Sequence, residues 1–187
     1  VRIFPDTKLY DPFCGSGTIL IEAALMATNT APGLRRFFAA ERFGFIDDSV
    51  WKNERARAMS AIREGVTFKG IGFDTDPEAV KLTLDNARKA GVGKYIEASV
   101  ADFADFEMDK ERSALVTNPP YGERLLDIES AERLYRMMGE KFILDNQHKY
   151  CVISPDDDFE KIFGKKADKR RKVYNGMLKC QLYMYYK

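Results

Sequence analysis

The stretch "VTNPPYGERL", residues 116–125, sets an amide, two prolines and a phenol directly after an apolar run. Proline fixes its own φ and drives the preceding residue to an extended conformation. Asn118, Pro119, Pro120 and Tyr121 therefore read as a rigid display at a strand end. A second stretch, "DPFCGSGTILIEAA" (residues 11–24), has Gly15 and Gly17 bracketing Ser16 before a helical pattern. Glycines allow close backbone approach to a ligand, and a helix N-terminus favours a carboxylate or phosphate. The third glycine of the dinucleotide fingerprint is missing, and there is no Gly-Lys-Ser/Thr phosphate loop, so a nucleotide phosphate is not the favoured ligand. In a third stretch, "GFDTDPEAV" (72–80), Asp74 falls at the carboxyl end of a strand, where a carboxylate can accept both hydroxyls of a ribose. Asp76 before Pro77 suits a helix cap with proline at the first helical position. The fourth, "SVADFADF" (99–106), places Asp102 just past a strand end. Its carboxylate could accept from an exocyclic amine such as that of adenine, with Phe103 beside the ring.

Each stretch alone has a plain structural reading: a tight turn, a solvated carboxylate, a rigid loop. Their order is more specific, and it depends on the elements that position them. Short apolar runs alternate with helical patterns, the signature of a parallel sheet. The pattern predicts strands at 8–11, 69–73, 95–100, 114–117 and 150–154, with helices at 18–29, 77–89 and 130–146. The final "KVYNGMLKCQLYMYY" carries two β-prone runs around Asn175-Gly176, a hairpin signal. The expectation is an α/β, Rossmann-like sheet of seven strands, mostly parallel, closed by a C-terminal antiparallel hairpin. Residues 31–66 contain no convincing strand and read as a helical insertion, with a helix start at Asp48-Ser49. In an open α/β sheet, ligands bind outside the carboxyl ends of the strands near the switch in strand order. Four successive ends here carry glycine-rich, acidic, acidic and Asn-Pro-Pro-Tyr groups.

The 187 residues suit one domain, and the formal net charge of +1 neither demands nor excludes nucleic acid. Three distant cysteines, Cys14, Cys151 and Cys180, have no metal-ligand spacing and read as reduced thiols of a cytoplasmic protein. The single histidine, His148, reads as a surface residue near a helix end, which leaves no Ser-His-Asp or zinc-histidine site. No apolar run approaches a membrane span of ~20 residues. Phe37-Phe38 read as core. "KKADKRRK" (165–172) is the only dense charge cluster, by default a solvated segment, and Lys169, Arg170, Arg171 and Lys172, with Arg35 and Arg36 of the insertion, are the candidate nucleic-acid phosphate contacts.

"DPFCGSGT", "GFDTDP", "VADF" and "NPPYGERL" stand in the order and at the spacing of the class I S-adenosylmethionine-dependent methyltransferases, and the chain resembles that family along nearly its whole length. "DPFCGSGTILIEAA", the insertion "GLRRFFAAERFGFID…VW" and the closing "KVYNGMLKCQLYMYY" narrow the resemblance to bacterial RNA guanine-N2 methyltransferases that carry an upstream THUMP RNA-binding domain, which is not in these residues. The resemblance implies S-adenosylmethionine as cofactor, held by Asp11, Pro12, Gly15, Ser16, Gly17, Asp74, Asp102, Phe103 and Asn118, and no metal. It implies an RNA partner, with rRNA (of the 23S type) favoured over tRNA. It implies catalytic roles for Asn118, Pro119, Pro120 and Tyr121. The Asn118 side-chain oxygen and the Pro119 carbonyl would bind both N–H groups of the acceptor amine, and Tyr121 would stack on the base. Asn-Pro-Pro-Tyr also serves adenine-N6 and protein-glutamine methylation, and the fold can persist as a non-catalytic RNA-binding module. Neither the target nucleotide nor the oligomeric state is legible in the sequence.

Overall fold

The first strand, β1 (Lys8–Asp11), lies in the interior of the sheet, and its last three residues are buried. The remaining strands are β2 (Lys69–Asp74), β3 (Ile96–Val100), β4 (Ser113–Thr117), β5 (His148–Ser154), β6 (Lys169–Asn175) and β7 (Leu178–Tyr185). Their order across the sheet is β3-β2-β1-β4-β5-β7-β6. β1 runs parallel to both β2 and β4, β2 to β3, and β4 to β5. Only β7 runs against its neighbours, so the hairpin closes an otherwise parallel sheet. The computed structural model describes residues 2–121 and 125–186.

Parallel strands buried on both faces read as continuous apolar runs, and helices must cover them. α1 (Thr18–Thr28) does so with small side chains, burying Ala23, Ala24 and Ala27 beside Leu20 and Leu25. The close approach requires Gly72 on β2, where an added Cβ would stand 2.8 Å from Leu20 Cδ1. α3 (Pro77–Ala90) starts as expected, with the Asp76 side chain accepting from the Glu78 N–H and proline at the first turn. The opposite face carries α4 (Leu125–Lys141) and the short α5 (Phe159–Phe163), over an aromatic core that includes Tyr10, Phe103, Phe106, Phe142 and Tyr150. Within the insertion α2 (Asp48–Ser60) forms, capped by Asp47 through the Ser49 N–H, with no residue buried.

Three expectations need correction. The helix predicted at 130–146 runs instead from Leu125 to Lys141, and residues 142–147 form an irregular loop. His148 is the first residue of β5 and is buried, with its ring facing the Asp145 carboxylate at 2.8 and 2.9 Å and the Asp109 carbonyl at 2.9 Å. Phe37 and Phe38 lie outside the core, 81% and 41% exposed, because the insertion stands off the sheet. Among the described residues no helix is long and apolar enough to cross a membrane.

Candidate active site

Strand order reverses between β1 and β4, so the loops leaving these two strands diverge and open a crevice above their carboxyl ends. The crevice is a cleft of about 470 Å³ lined by Pro12, Phe13, Asp74, Thr75, Ala101, Asp102, Phe103, Asn118, Pro120 and Leu134. All four motif-bearing strand ends contribute. Its size falls within the roughly 300–1,000 Å³ of small-molecule sites. A larger depression of about 590 Å³, around Phe142 and Tyr150, lies near the amino ends of β4 and β5 and contains none of the candidate site residues.

The glycine turn is built from backbone. Cys14 N–H donates to the Phe73 carbonyl (2.9 Å) and Gly17 N–H to the Cys14 carbonyl (2.7 Å). Gly15 and Gly17 both have positive φ, +53° and +80°, and Gly17 caps α1. A Cβ at Gly17 would meet the Thr83 side chain at 2.8 Å. Two side chains of α3 tie the turn down from outside: Thr83 Oγ1 donates to the Gly15 carbonyl (2.9 Å) and Asn86 Nδ2 to the Ser16 carbonyl (3.0 Å).

Asp74 joins this turn to the second strand end. Its carboxylate accepts from Gly15 N–H (2.9 Å) and from Asp76 N–H (3.1 Å) while bordering the cleft. A carboxylate has about four acceptor positions, so two remain for a diol. Asp102 uses Oδ1 to accept from Ala104 N–H (2.7 Å), leaving its other oxygen at the exposed rim. Phe103 is buried and packs on Phe13 at 5.3 Å between ring centroids, so the two rings form an apolar wall.

Asp11 and Thr117 lie beneath the cleft. Thr117 Oγ1 donates to Asp11 Oδ1 at 2.7 Å, joining the last residue of β1 to the last of β4. Asp11 is 1% exposed, and burial pushes its carboxyl up to about 6 against the hydrogen bonds from Thr117 and Phe13 N–H. Cys14 is also buried, and desolvation raises its thiol to about 11, which suits a packed residue and not a nucleophile.

Directly after Thr117, Asn118 borders the cleft half-buried, Pro119 is buried, and Pro120 is exposed on the cleft side. The Tyr121 hydroxyl donates to the Asn118 side-chain oxygen. Burial pushes the Tyr121 phenol up to about 12, countered by a hydrogen bond with the Asn175 side chain, with the Cys180 thiol nearby. The tail of that motif, residues 122–124, lies outside the described residues.

The cleft thus brings together Pro12, Asp74, Asp102, Phe103, Asn118 and Pro120 of the expected residues. Gly15, Ser16 and Gly17 form the adjoining turn, Asp11 sits under the floor, and Pro119 and Tyr121 stand behind Asn118. Phe13, Thr75, Ala101 and Leu134 were not singled out in the sequence. Phe13 carried a signal, an aromatic two residues past a strand end, whereas Leu134 reaches the cleft from α4 and only the tertiary fold reveals it. The basic candidates are split. Arg35 lies against Gly91, at the far end of α3 from the cleft, and α3's 14 residues span about 21 Å. Lys169, Arg170, Arg171 and Lys172 lie exposed on β6, with Arg170 also 3.5 Å from Glu160. Among the described residues no cluster of three or more His, Cys, Asp or Glu could hold a metal.

Comparison with known proteins agrees with this architecture. Ribosomal RNA large subunit methyltransferase K/L of Shewanella sp. (strain W3-18-1) is 41% identical over 188 residues, covering 96% of this chain and 26% of that protein. "Putative RNA methyltransferase YpsC" of Bacillus subtilis (strain 168) is 38% identical over 183 residues, covering 97% and 47%. The crystal structure of SMU.472 complexed with SAH superposes with a TM-score of 0.92 at 40% identity, covering all of this chain and 49% of that one. The chain therefore spans half or less of the length of these relatives. The family model described as "RMKL-like, methyltransferase domain" matches residues 2–184, and the chain belongs to that family, UPF0020.

Proposed function

We propose that this chain transfers a methyl group from S-adenosylmethionine to the exocyclic N2 amine of a guanosine in RNA, with 23S-type rRNA as the favoured substrate. The observation that carries the reading is the placing of Asn118 and Pro120 on the same cleft as Asp74 and Asp102. Asp74 suits the ribose diol of the cofactor, Asp102 the adenine amine, and the Phe13–Phe103 wall the adenine face. The Gly15–Gly17 turn lets backbone approach the methionine end at the start of α1. When bound, the cofactor supplies an electrophilic methyl group; the protein's residues bind and orient the acceptor.

An exocyclic guanine amine is a weak nucleophile because its lone pair is delocalised into the ring. Acceptors at Asn118 and Pro119 would hold its N–H groups and turn the lone pair toward the methyl group, a gain in orientation and electrostatics together. The Asn118 oxygen already accepts from Tyr121, which fixes the amide's direction and leaves a lone pair for the amine. The product ammonium loses its proton readily, so no strong general base is needed. A paired base must swing out of its stack to reach the cleft.

In the cytoplasm, the chain would act as the catalytic domain of a longer protein, whose THUMP domain captures the RNA. Similarity to relatives that extend well beyond the matched region supports this division. The test is methylation of unmodified rRNA and tRNA transcripts, duplex DNA and release-factor protein, followed by mass spectrometry of the products. N2-methylguanosine in rRNA is expected. N6-methyladenosine or methylglutamine would replace the acceptor, and cofactor binding without transfer to any of them would favour a non-catalytic module.

A further inference from the structure

The cleft residues leave unassigned the surface that receives RNA beside the target nucleotide. Strand register locates one. Thr117 pairs with Val152 of β5, and β5 ends at Ser154, which pairs with Gln181 of β7, itself paired with Lys172 of β6. Lys172 therefore stands level with the end of β5. Val173, Tyr174 and Asn175 continue past it, as do Leu178, Lys179 and Cys180 on the other strand. At about 3.3 Å per residue the hairpin rises roughly 10 Å above the sheet's upper edge. It does so on the acceptor side of the cleft, since Asn175 and Cys180 flank the Tyr121 phenol that bonds Asn118.

The tip is solvent-exposed and chemically specific. Tyr174 is 63% exposed and Met177 fully so. The Lys172 ammonium lies 5.0 Å from the Tyr174 ring centroid, and Lys179 is paired directly across from Tyr174. Tyr174 offers a base the ring face that the Lys172 ammonium does not cover, and Lys172 and Lys179 share its face of the hairpin as cations for phosphates, which is what a single-stranded nucleic acid needs. A second copy of the chain fits poorly, because edge-to-edge pairing would bring Lys169, Arg170, Arg171 and Lys172 against their like.

We infer that the β6–β7 tip is an RNA-binding wall of the acceptor site, with Tyr174 stacking on a base next to the target nucleotide and Lys172 and Lys179 contacting its phosphates. The inference rests on the proposed RNA substrate. It also divides the basic run by height: Lys172 takes part, and Lys169, three residues lower on the strand, does not.

The experiment is fluorescence anisotropy of a short labelled single-stranded oligoribonucleotide, titrated with the whole chain at several salt concentrations in the presence of S-adenosylhomocysteine. Tyr174→Ala should weaken binding on the order of tenfold, with Tyr174→Phe restoring most of it. Replacing Lys172 and Lys179 with Gln should flatten the log–log salt slope by about 0.7 per lost phosphate contact. Lys169→Gln should match wild type, and none of the variants should change S-adenosylhomocysteine affinity by calorimetry. Wild-type binding in the Tyr174→Ala and double-lysine variants, or an equal loss in Lys169→Gln, would overturn the inference while leaving the RNA reading intact. A wild-type chain that binds the cofactor product but no oligoribonucleotide would also overturn the inference, and would leave the RNA reading to the methylation assay, since capture is assigned there to the THUMP domain. A dimer dissociated by Tyr174→Ala would give the face to a second copy instead.

Discussion

Replacing Asp11 with Asn tests whether that residue serves the cofactor or the scaffold. The carboxyl is raised from 3.8 to about 6, chiefly by burial, so the folded state holds its proton more tightly than the unfolded chain does. Stability from this group is fully present below pH 3.8 and is lost as pH rises through 6. The whole interval corresponds to about 3 kcal/mol, at 1.36 kcal/mol per pH unit. By the same linkage about half of it, roughly 1.4 kcal/mol, is lost between pH 5 and pH 8. An asparagine keeps an oxygen for the Thr117 hydroxyl and the Phe13 N–H but carries no charge to bury. Urea denaturation of both proteins from pH 5 to 8 should show the variant gaining on wild type by about that amount, with calorimetric S-adenosylmethionine affinity nearly unchanged. A stability difference constant across that range would refute the buried-charge argument. A large loss of cofactor affinity in a folded variant would restore Asp11 as a cofactor ligand.

Asp74→Ala removes both the acceptor for Gly15 N–H and the proposed diol ligand, and should weaken S-adenosylmethionine binding by about 1–3 kcal/mol in calorimetry. Asn118→Ala should abolish methyl transfer in single-turnover assays and leave cofactor affinity close to wild type; an unchanged transfer rate would remove Asn118 from the mechanism. Gly139→Ala places a Cβ 1.8 Å from the Phe163 carbonyl oxygen, where α4 crosses the end of α5. Backbone must move there, so denaturation should show a loss of about 1–3 kcal/mol or more, and a neutral result would mean that α5 shifts freely.

The strand ends were legible because local chemistry and tertiary role agree at them. Asp76-Pro77 starts a helix by its own capping preference, and the glycine turn before Thr18 needs positive φ wherever it occurs. His148 was not legible. Its two ring partners are three and 39 residues away, and polar "HK" at the head of β5 hides a strand whose burial starts there. Phe37 and Phe38 were misread for the converse reason: apolar character signals core only when the segment packs on the sheet, and α2 buries nothing. The length of the basic run was plain in sequence, but the height of each member above the cleft follows only from the register of β6 on β7 and β7 on β5.

The Asp11–Thr117 bond explains why a polar pair persists under the site. β1 and β4 are neighbours, but their following loops turn apart, one into the glycine turn and the other into Asn118 and the prolines. Apolar side chains at these two positions could fill the space but would not fix the relative height of the loops. A 2.7 Å hydrogen bond does fix it, at the point where, in the proposed reaction, a small displacement would separate the methyl group from its acceptor. Specificity of geometry at the switch point thus requires a buried acceptor oxygen, not its charge. For that reason Asp11→Asn should be well tolerated, since its oxygen keeps the bond, whereas Thr117→Val should slow transfer more than it weakens cofactor binding. Equal losses in transfer and cofactor binding in Thr117→Val would mean that the bond supports the cleft as a whole and not the alignment across it.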